Sequence, residues 1–338
     1  MRAAVYKGKQ RLEVEEVPTP TPGPGQVLLK IKYCAICGTD VHAFLYDIPA
    51  PGTVMGHEYC ATIAEVGPGV TRWKEGDRVI GDGGSPPPGV DKPLRVEPRY
   101  NYRTMGFTSG RQRAYAEYTL QEEWEPRAIP DGVSDEAAAL CEPCSVAVRA
   151  VRRSRLGVGD AVGIIGAGPI GMLCLQVARA AGAGSVFVAE MAPARIEAAR
   201  RLGADEVINA AEEDTISRMV ELTDGHGPAI VFDCAGIKNT LDQALNAVRR
   251  AGQVVLVAVP WEPMPLLPVE WMAREVTLDT TFGADPEDWK TALDLIAAGK
   301  VTMEPLLSKT SFVPMDEIQP AFEALTNPST QLQMVVKP

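Results

Sequence analysis

The sequence predicts an α/β protein with two parts, a β-rich part formed by both ends of the chain and a doubly wound parallel sheet formed by the middle. Three observations support this fold class. Short strand-like runs separated by turns dominate the chain up to Leu120. From about Arg149, strand-like and helix-like segments alternate, which is typical of a parallel sheet with helices on both faces. A glycine-rich turn joins the first such strand to its helix. The predicted boundaries are 1–146 with 286–338 for the β-rich part and 147–285 for the parallel-sheet part.

Composition and charge narrow the class of protein. The 338 residues are 46% hydrophobic and 23% charged, which is ordinary for a soluble globular protein with room for two cores. A net charge of −11 disfavours a nucleic-acid-binding surface and sustained attraction to anionic membranes. The first residues resemble no signal peptide, and no apolar run reaches about 18 residues, so we expect a cytoplasmic protein without a membrane span. Seven cysteines, an odd number, indicate thiols or metal ligands rather than a disulfide framework.

The β-rich part begins with six predicted strands, assigned from composition and partial alternation of apolar and polar residues. A long excursion, Gly81–Arg113, is rich in Gly, Pro and Arg, and at this length we expect a functional loop or lobe. The predicted strands are Met1–Tyr6, Arg11–Val17, Val27–Tyr33, Tyr59–Val66, Asp77–Ile80 and Ala114–Leu120.

The parallel-sheet part contains six further predicted strands with helices between them. After it, a helix at Asp288–Ala298 and a strand at Gln333–Val336 are predicted to return to the β-rich part. The predicted helices of the middle part include Ile170–Ala181, Arg195–Leu202 and Thr240–Ala251. The predicted strands are Ala161–Gly166, Ser185–Glu190, Glu206–Ile208, Ile230–Asp233, Val254–Val259 and Val276–Thr281.

The glycine-rich turn has the pattern of a dinucleotide-binding fingerprint. Gly166-x-Gly168-x-x-Gly171 lies between a predicted strand and a predicted helix, which is the context that the fingerprint requires. The glycines allow a tight turn, close approach of a pyrophosphate and close packing of helix on strand. Glu190 ends the next predicted strand, where an acidic residue is expected to bind a ribose. The alternative is a glycine-rich turn in an α/β domain without a cofactor.

Three short stretches carry residues suited to one metal ion. Cys37 lies near Asp40, His57 precedes Glu58, and Glu142 follows a cysteine. A thiolate, an imidazole and a carboxylate with one open position are typical of a catalytic zinc site.

Other roles for these residues remain open at this level. Each could be an ordinary buried residue, since histidines and cysteines also occur in cores. Two Cys-x-x-Cys pairs, at Cys34–Cys37 and Cys141–Cys144, could form a four-cysteine structural zinc site or redox disulfides. The gap between the pairs is far longer than in zinc ribbons, and neither pair has a thioredoxin-like context.

These motifs resemble the zinc-dependent medium-chain dehydrogenase/reductase family, and most closely its branch of sorbitol, 2,3-butanediol, threonine and sugar dehydrogenases. The resemblance covers essentially the whole chain. It implies a GroES-like catalytic domain and a Rossmann cofactor domain. The motifs that carry it are Cys37-Gly-Thr-Asp40-Val-His42, Gly56-His57-Glu58, Gly76-Asp-Arg-Val79, Glu142-Pro143 and Gly166-x-Gly168-Pro-Ile-Gly171.

The resemblance implies a role for each residue of the metal group. Cys37 and His57 would bind zinc, and Glu142 stands where the polyol branch has a glutamate and the alcohol dehydrogenases have a cysteine. Glu58 would be a ligand or a nearby carboxylate that exchanges with substrate or water. Asp40 would orient His57, as histidines bound to metals require.

The resemblance also implies a proton relay and a set of cofactor contacts. Thr39 and His42 match the relay positions, with a ribose hydroxyl of the cofactor between them. The implied cofactor-binding residues are Gly166, Gly168, Pro169, Ile170, Gly171, Glu190, Arg195, Val257 and Val259.

Two departures from the family pattern matter. The family's structural zinc uses four closely spaced cysteines after Gly-Asp-Arg-Val, but no cysteine occurs between Ile80 and Arg113. We therefore expect one catalytic zinc per chain and no structural zinc. Sorbitol dehydrogenases have Phe-Arg-Tyr where this chain has Phe282-Gly283-Ala284, so the side chains that bind a polyol there are missing.

The resemblance therefore implies an NAD-dependent zinc enzyme that interconverts a secondary alcohol (a polyol, diol, sugar or cyclitol) and its ketone. We expect a homodimer or homotetramer. The alternatives are a zinc-free protein like the quinone reductases, a dinucleotide-binding protein without catalysis, and a metal-stabilised binding module. Four aromatic residues are candidate pocket walls, although core positions are equally compatible with them: Phe44, Tyr46, Phe107 and Phe282.

Overall fold

The structure is a computed structural model, and it describes residues 1–81, 113–326 and 332–338. The chain forms two compact units, one made of Met1–Glu142 with Leu307–Pro338 and the other of Pro143–Leu306. Within the three described ranges, no helix is long and apolar enough to cross a membrane.

The first unit contains the strands and helices of both chain ends. Its helices are α1 (Gly38–Leu45) and α2 (Asp135–Ala139), and α3 (Cys141–Arg153) begins at its boundary. Its first seven strands are β1 (Arg2–Tyr6), β2 (Leu12–Glu16), β3 (Gln26–Ala35), β4 (Glu58–Val66), β5 (Arg78–Ile80), β6 (Tyr118–Glu122) and β7 (Arg127–Ala128).

The second unit alternates strands and helices. Its strands are β8 (Ala161–Ile165), β9 (Ser185–Glu190), β10 (Glu206–Asn209), β11 (Ile230–Asp233), β12 (Gln253–Leu256) and β13 (Thr277–Thr280). Its helices are α4 (Pro169–Ala180), α5 (Pro193–Arg201), α6 (Thr215–Glu221), α7 (Thr240–Ala247), α8 (Pro268–Met272) and α9 (Pro286–Ala297). The chain then returns to the first unit with β14 (Phe312–Pro314), α10 (Ile318–Leu325) and β15 (Val335–Lys337).

The sheet of the first unit is built around β3, which pairs with β4, β6 and β15, all antiparallel. The remaining order is β14-β15-β3-β4-β5-β7, and β1 pairs with β2 as a separate hairpin. The predicted strand at Ala114–Leu120 begins later than expected, at Tyr118. Its first residues instead make isolated contacts outside the strand. The Tyr115 N–H donates to the Met55 carbonyl at 2.9 Å, and Ala116 forms an isolated β-bridge with Ala3.

The core of the first unit includes several aromatic side chains whose rings contact one another at tilted or edge-to-face angles. Phe44 on α1 lies 5.3 Å from Phe322 on α10, and Tyr115 lies 5.8 Å from Phe322, ring centre to ring centre. All three are at most 2% exposed. Phe44 is thus a core residue and not a pocket wall. The apolar face that α1 buries here holds the helix against the unit.

The six strands of the second unit form one parallel sheet in the order β10-β9-β8-β11-β12-β13. The strand order reverses direction at β8, which has β9 on one side and β11 on the other. In doubly wound sheets, ligands bind beyond the carboxyl ends of the strands at this reversal point. In this doubly wound fold, a ligand is therefore expected to bind at the turn after β8.

The boundary of the second unit lies later than predicted. The sequence predicted that the chain returns to the β-rich part at residue 286, but α9 belongs to the second unit, which extends to Leu306. Ion pairs explain the difference, because fully buried Asp288 on α9 accepts from Arg152 at 2.7 Å and from Arg149 at 3.3 Å, both on α3. The first boundary also shifts, from 146 to 142.

Candidate metal and dinucleotide sites

The metal group is assembled where β3 and β4 meet. Their register places Ala35, the last residue of β3, opposite Glu58, the first residue of β4. Cys37 follows β3 by two residues and begins the turn into α1 with an extended backbone. Strand pairing therefore brings Cys37 to the carboxylate of Glu58 although 20 positions separate them in the sequence.

Three predicted ligands come together at this point. The ligand atoms of Cys37, His57 and Glu58 all lie within 4.8 Å of one another. No other group of this kind occurs in the part of the chain that the structure describes. Sulfur, imidazole nitrogen and carboxylate oxygen together form the donor set of a catalytic zinc site.

Glu58 supplies an independent test of whether a metal fits. Its side chain is 3% exposed, and its Oε2 atom has no hydrogen-bond partner among the described residues. A buried carboxylate oxygen without a partner costs about 1–3 kcal/mol or more, because it loses the hydrogen bonds of water. A cation bound beside Cys37 and His57 would satisfy this oxygen, so the residues fit a metal ion.

The charges of the group are those expected of a cation site. Burial raises the pKa of the Cys37 thiol to about 12, and the charge of Glu58 adds to the shift. Burial also raises the pKa of Glu58 to about 8, with a further contribution from the charge of Glu142. Burial lowers the pKa of His57, but the charges of Asp40 and Cys37 outweigh it, and the net shift is well upward. These acidic groups repel one another, and a divalent cation would relieve that repulsion.

Glu142 acts on the group through its charge. It is the second residue of α3, is partly buried and belongs to the first unit. Its charge raises the pKa values of both Glu58 and Cys37. The structure therefore places it near the metal group, although it is not one of the three residues within 4.8 Å.

Asp40 lies next to His57, the residue that it is expected to orient. Its side chain is fully buried on α1, and its Oδ1 atom lies 3.5 Å from Nδ1 of His57. Its Oδ2 atom accepts a 2.8 Å hydrogen bond from the hydroxyl of Tyr115. Sequence reasoning missed Tyr115, since no motif marks it and only the hydrogen bonds of Ala114 and Tyr115 to the chain before His57 bring it here.

The two predicted relay residues share the first turns of α1. The Thr39 hydroxyl donates to Sγ of Cys37 at 2.8 Å. Nδ1 of His42 lies 2.7 Å from the Gly38 carbonyl oxygen, and the ring of Tyr46 stacks on the imidazole at 6.3 Å. Burial lowers the pKa of His42, opposed by the contact with the Gly38 carbonyl. Thr39 thus contacts the metal group directly, whereas His42 lies further along the helix.

The four-cysteine alternative is not assembled. Cys34 is buried and its thiol contacts the Ala35 carbonyl, while Cys144 lies in the second unit and interacts with Cys174. All seven cysteines are free.

The glycine turn of the second unit has the geometry of the fingerprint. Gly166 follows β8 with φ +92°, a conformation that favours glycine, and Gly168 caps α4. Pro169 is the first residue of the helix, where proline is favoured because its missing N–H needs no partner. A Cβ atom on Gly171 would overlap the Gly166 carbonyl oxygen, so this close packing requires glycine.

Glu190 closes this turn from the end of β9. Its Oε2 atom accepts from the Ala167 N–H at 2.9 Å, and its Oε1 atom accepts from the N–H groups of Met191 and Ala192. Nη1 of Arg195 lies 3.9 Å from Oε2. The acid and the basic neighbour predicted for the ribose site thus adjoin the glycine turn.

The remaining predicted contacts lie at the same edge of the sheet. Ile170 is on the first turn of α4, and Val257 and Val259 follow the carboxyl end of β12. Two candidate pocket aromatics, Tyr46 and Phe282, are about half exposed, with 51% and 52% of their surface accessible. Phe107 lies outside the described residues.

Comparison with known proteins identifies the family. A family model described as an alcohol dehydrogenase GroES-like domain matches residues 23–131, and one described as a zinc-binding dehydrogenase matches residues 169–298. The (R,R)-butanediol dehydrogenase of Bacillus subtilis is 31% identical over 100% of both chains. The chain belongs to the zinc-dependent medium-chain dehydrogenase family. The resemblance and the predicted fold are confirmed, and the protein is an alcohol oxidoreductase of this family.

Solved structures of the family agree in fold over the whole chain. The butanediol dehydrogenase of Bacillus subtilis superposes with a TM-score of 0.86 at 29% identity, covering 100% of this chain and 99% of that one. A zinc-binding dehydrogenase of Sinorhizobium meliloti, solved with NADP, gives a TM-score of 0.86 at 27% identity, covering 100% of this chain and 99% of that one.

Among the sequence relatives, a sorbitol dehydrogenase of Bacillus subtilis is 30% identical over 100% of this chain and 97% of its own. The family thus includes enzymes that act on diols and polyols.

Proposed function

We propose that this protein interconverts a secondary alcohol and its ketone, with NAD as the hydride carrier and one catalytic zinc per chain. One observation carries the proposal: the ligand atoms of Cys37, His57 and Glu58 lie within 4.8 Å of one another in a chain that also has the glycine turn and Glu190. A metal-free reductase or a purely structural dinucleotide-binding protein has no use for a thiol, an imidazole and a buried carboxylate at one point.

Four side chains would hold the metal or exchange with it. Cys37 and His57 would be fixed ligands, and Glu142 and Glu58 would supply carboxylate oxygens. A fixed set of three protein ligands leaves one position for substrate, which distinguishes a catalytic site from a closed structural one. When bound, zinc supplies a Lewis acid for the alcohol oxygen, and the oxidised nicotinamide accepts the hydride.

Two side chains of the protein would transfer the proton of the substrate hydroxyl to solvent. Thr39, whose hydroxyl already contacts Cys37 at 2.8 Å, would receive the proton of the substrate hydroxyl. His42 would pass it to solvent, because its lowered pKa leaves the imidazole neutral near pH 7 and able to accept a proton. Both residues lie on α1, and the proposed ligand Cys37 is its N-cap, so one short helix and its cap would supply a metal ligand and the relay.

NAD is the proposed cofactor because Glu190 ends β9 beside the glycine turn, where an acidic residue is expected to bind ribose. A carboxylate there accepts hydrogen bonds from ribose hydroxyls and repels a 2′-phosphate. Arg195, which could favour NADP, lies 3.9 Å from that carboxylate, so the two charges partly cancel. We expect kcat/KM with NAD to exceed kcat/KM with NADP. A Glu190→Gln variant should narrow that difference, and an NADP preference in the wild type would contradict the assignment.

The relatives support a small polyol, diol, sugar or cyclitol as substrate. Butanediol and sorbitol dehydrogenases both match nearly the whole chain. Sorbitol itself is disfavoured, because Gly283 and Ala284 replace the basic and phenolic side chains of sorbitol dehydrogenases. We also propose a cytoplasmic homodimer or homotetramer.

The deciding experiment combines metal analysis with a substrate screen. The wild-type protein should contain zinc and reduce NAD with at least one member of a panel of diols, alditols, aldoses, cyclitols and threonine. Cys37→Ala protein should contain no zinc and show no turnover. Cys234→Ala is the matched control, because this cysteine lies in the other unit and is not part of the metal group. Full activity in zinc-free Cys37→Ala protein would contradict the proposal.

A further inference from the structure

Tyr115 is a buried residue for which no role in the chemistry follows from the sequence. Its side chain is fully inaccessible, and its backbone is fixed on both sides. Its N–H donates to the Met55 carbonyl at 2.9 Å, and its own carbonyl accepts from the Ala4 N–H at 2.8 Å. The hydroxyl therefore has a defined position in the core of the first unit.

The hydroxyl of Tyr115 forms a hydrogen bond with only one of the two carboxylate oxygens of Asp40. It donates to Oδ2 at 2.8 Å, whereas its other neighbour, the Ala35 carbonyl, is at 3.4 Å. A hydroxyl has one proton, so the shorter bond to the carboxylate takes it. Oδ1 has no hydrogen-bond partner among the described residues and lies 3.5 Å from Nδ1 of His57. The bond to Tyr115 thus sets the rotation of the carboxylate and turns its second oxygen toward the imidazole.

The ring of Tyr115 also packs against the residue that precedes His57. Gly56 has φ +94°, and a Cβ atom there would lie 2.9 Å from the ring of Tyr115 and 2.8 Å from Sγ of Cys34. Any other residue would be strained by its backbone and would displace this ring. Tyr115 therefore contacts the His57 segment directly at Gly56 and indirectly through Asp40.

We propose that Tyr115 is a positioning residue, which orients Asp40 and through it the imidazole of His57 for metal binding. With Nδ1 of His57 directed at Asp40, Nε2 is the ring nitrogen left for the metal. Outer hydrogen-bond partners of this kind fix the tautomer and ring orientation of metal-bound histidines. The inference rests on the proposed function, since it requires that His57 binds zinc.

The test is zinc affinity in a Tyr115→Phe variant, measured by competition with a chromophoric chelator on protein folded with zinc in excess. We expect the dissociation constant for zinc to rise about 10- to 100-fold, the range found when such partners are removed. In cobalt-substituted protein, the visible absorption bands should shift, because the geometry at the metal changes. A merely structural tyrosine would alter neither readout.

Tyr6→Phe is the matched control. Tyr6 is equally buried in the same core, and its hydroxyl likewise donates to an aspartate, Asp47, which is not part of the metal group. Both variants lose a buried phenol hydroxyl and should show a lower Tm. Only Tyr115→Phe should lose zinc affinity. Equal zinc affinities in the two variants would overturn the inference.

Adding Tyr115→Phe to an Asp40→Asn variant tests whether Tyr115 acts through Asp40. It also provides a measurement if the Tyr115→Phe single variant folds poorly. Asp40→Asn removes the buried charge that Tyr115→Phe would leave without its donor. In Asp40→Asn protein, adding Tyr115→Phe should change zinc affinity by much less than it does in the wild type. The same fold-change in both backgrounds would show that Tyr115 does not act through Asp40. If the wild type binds no zinc, the proposed function fails; if it binds zinc as tightly as Tyr115→Phe does, only this inference fails.

Discussion

His42 is set up as a base by its immediate surroundings. Burial lowers its pKa below the ordinary value of about 6.5, and Nδ1 donates to the Gly38 carbonyl, so Nε2 carries the lone pair. The imidazole is therefore neutral at pH 7 and becomes protonated as the pH falls through its lowered pKa. A His42→Ala variant should keep its zinc and oxidise the alcohol more slowly, by about 10²-fold, which is the lower end of the range for a proton-transfer group.

The loss in His42→Ala should be largest at the acidic end of the activity range, where solvent is the poorest substitute base. Added imidazole should restore part of the rate. His226→Ala is the control, because His226 is exposed in a bend between α6 and β11 and should leave the pH–rate profile unchanged. A His42→Ala profile that superposes on the wild type would exclude His42 from the proton route.

At the scale of elements, two glycines at the junction of β8 and α4 have different expected roles. Gly171 is needed for stability, and Gly168 is needed for NAD binding. A Cβ atom on Gly171 would overlap the Gly166 carbonyl oxygen, so Gly171→Ala forces the helix from the strand and should destabilise the protein by about 1–3 kcal/mol, the cost of overpacking. Gly168 has open space around its Cβ position and an ordinary φ of −67°, so Gly168→Ala should unfold like the wild type. It should nevertheless bind NAD more weakly, because the added methyl obstructs approach of the pyrophosphate. Calorimetry and NAD titration would check both; a normal NAD affinity in Gly168→Ala would contradict the site.

Helix α1, which follows Cys37 and carries Thr39 and Asp40, is not among the helices predicted from the sequence, whereas the strands β3 and β4 are close to their predicted bounds. Helix α1 has only eight residues, and its first turn is Gly-Thr-Asp, which has low helix propensity. It is helical because Phe44 and Val41 are buried in the core, a long-range contact invisible to local patterns. Helix α7, conversely, ends at Ala247 rather than at the predicted Ala251, because Val248 is extended.

At the scale of the whole molecule, we predict one zinc ion per chain. Between Ile80 and Arg113 the sequence has no cysteine and no histidine, and scattered carboxylates are a poor match for a structural zinc. A chelator should therefore stop catalysis and lower Tm while most of the far-UV circular dichroism remains, since the core of each unit does not depend on the metal. Elemental analysis of the fully loaded protein should give about one zinc per chain. A value near two would show that a second site exists.

The sequence alone determined the class of protein, because the motifs that indicate this class are formed by residues close together in the chain. The glycine pattern, the acid at the end of the next strand and the alternation of strands and helices depend on residues close together in the chain, and they predicted the parallel sheet and the turn with Glu190. Only the tertiary structure decided which residues meet. The pairing of β3 with β4 brings Cys37 to Glu58, the segment at 114–116 brings Tyr115 to Asp40, and ion pairs to Asp288 hold α9 in the second unit. Such contacts join residues far apart in sequence, so the pattern of neighbouring residues along the chain does not specify which side chains meet.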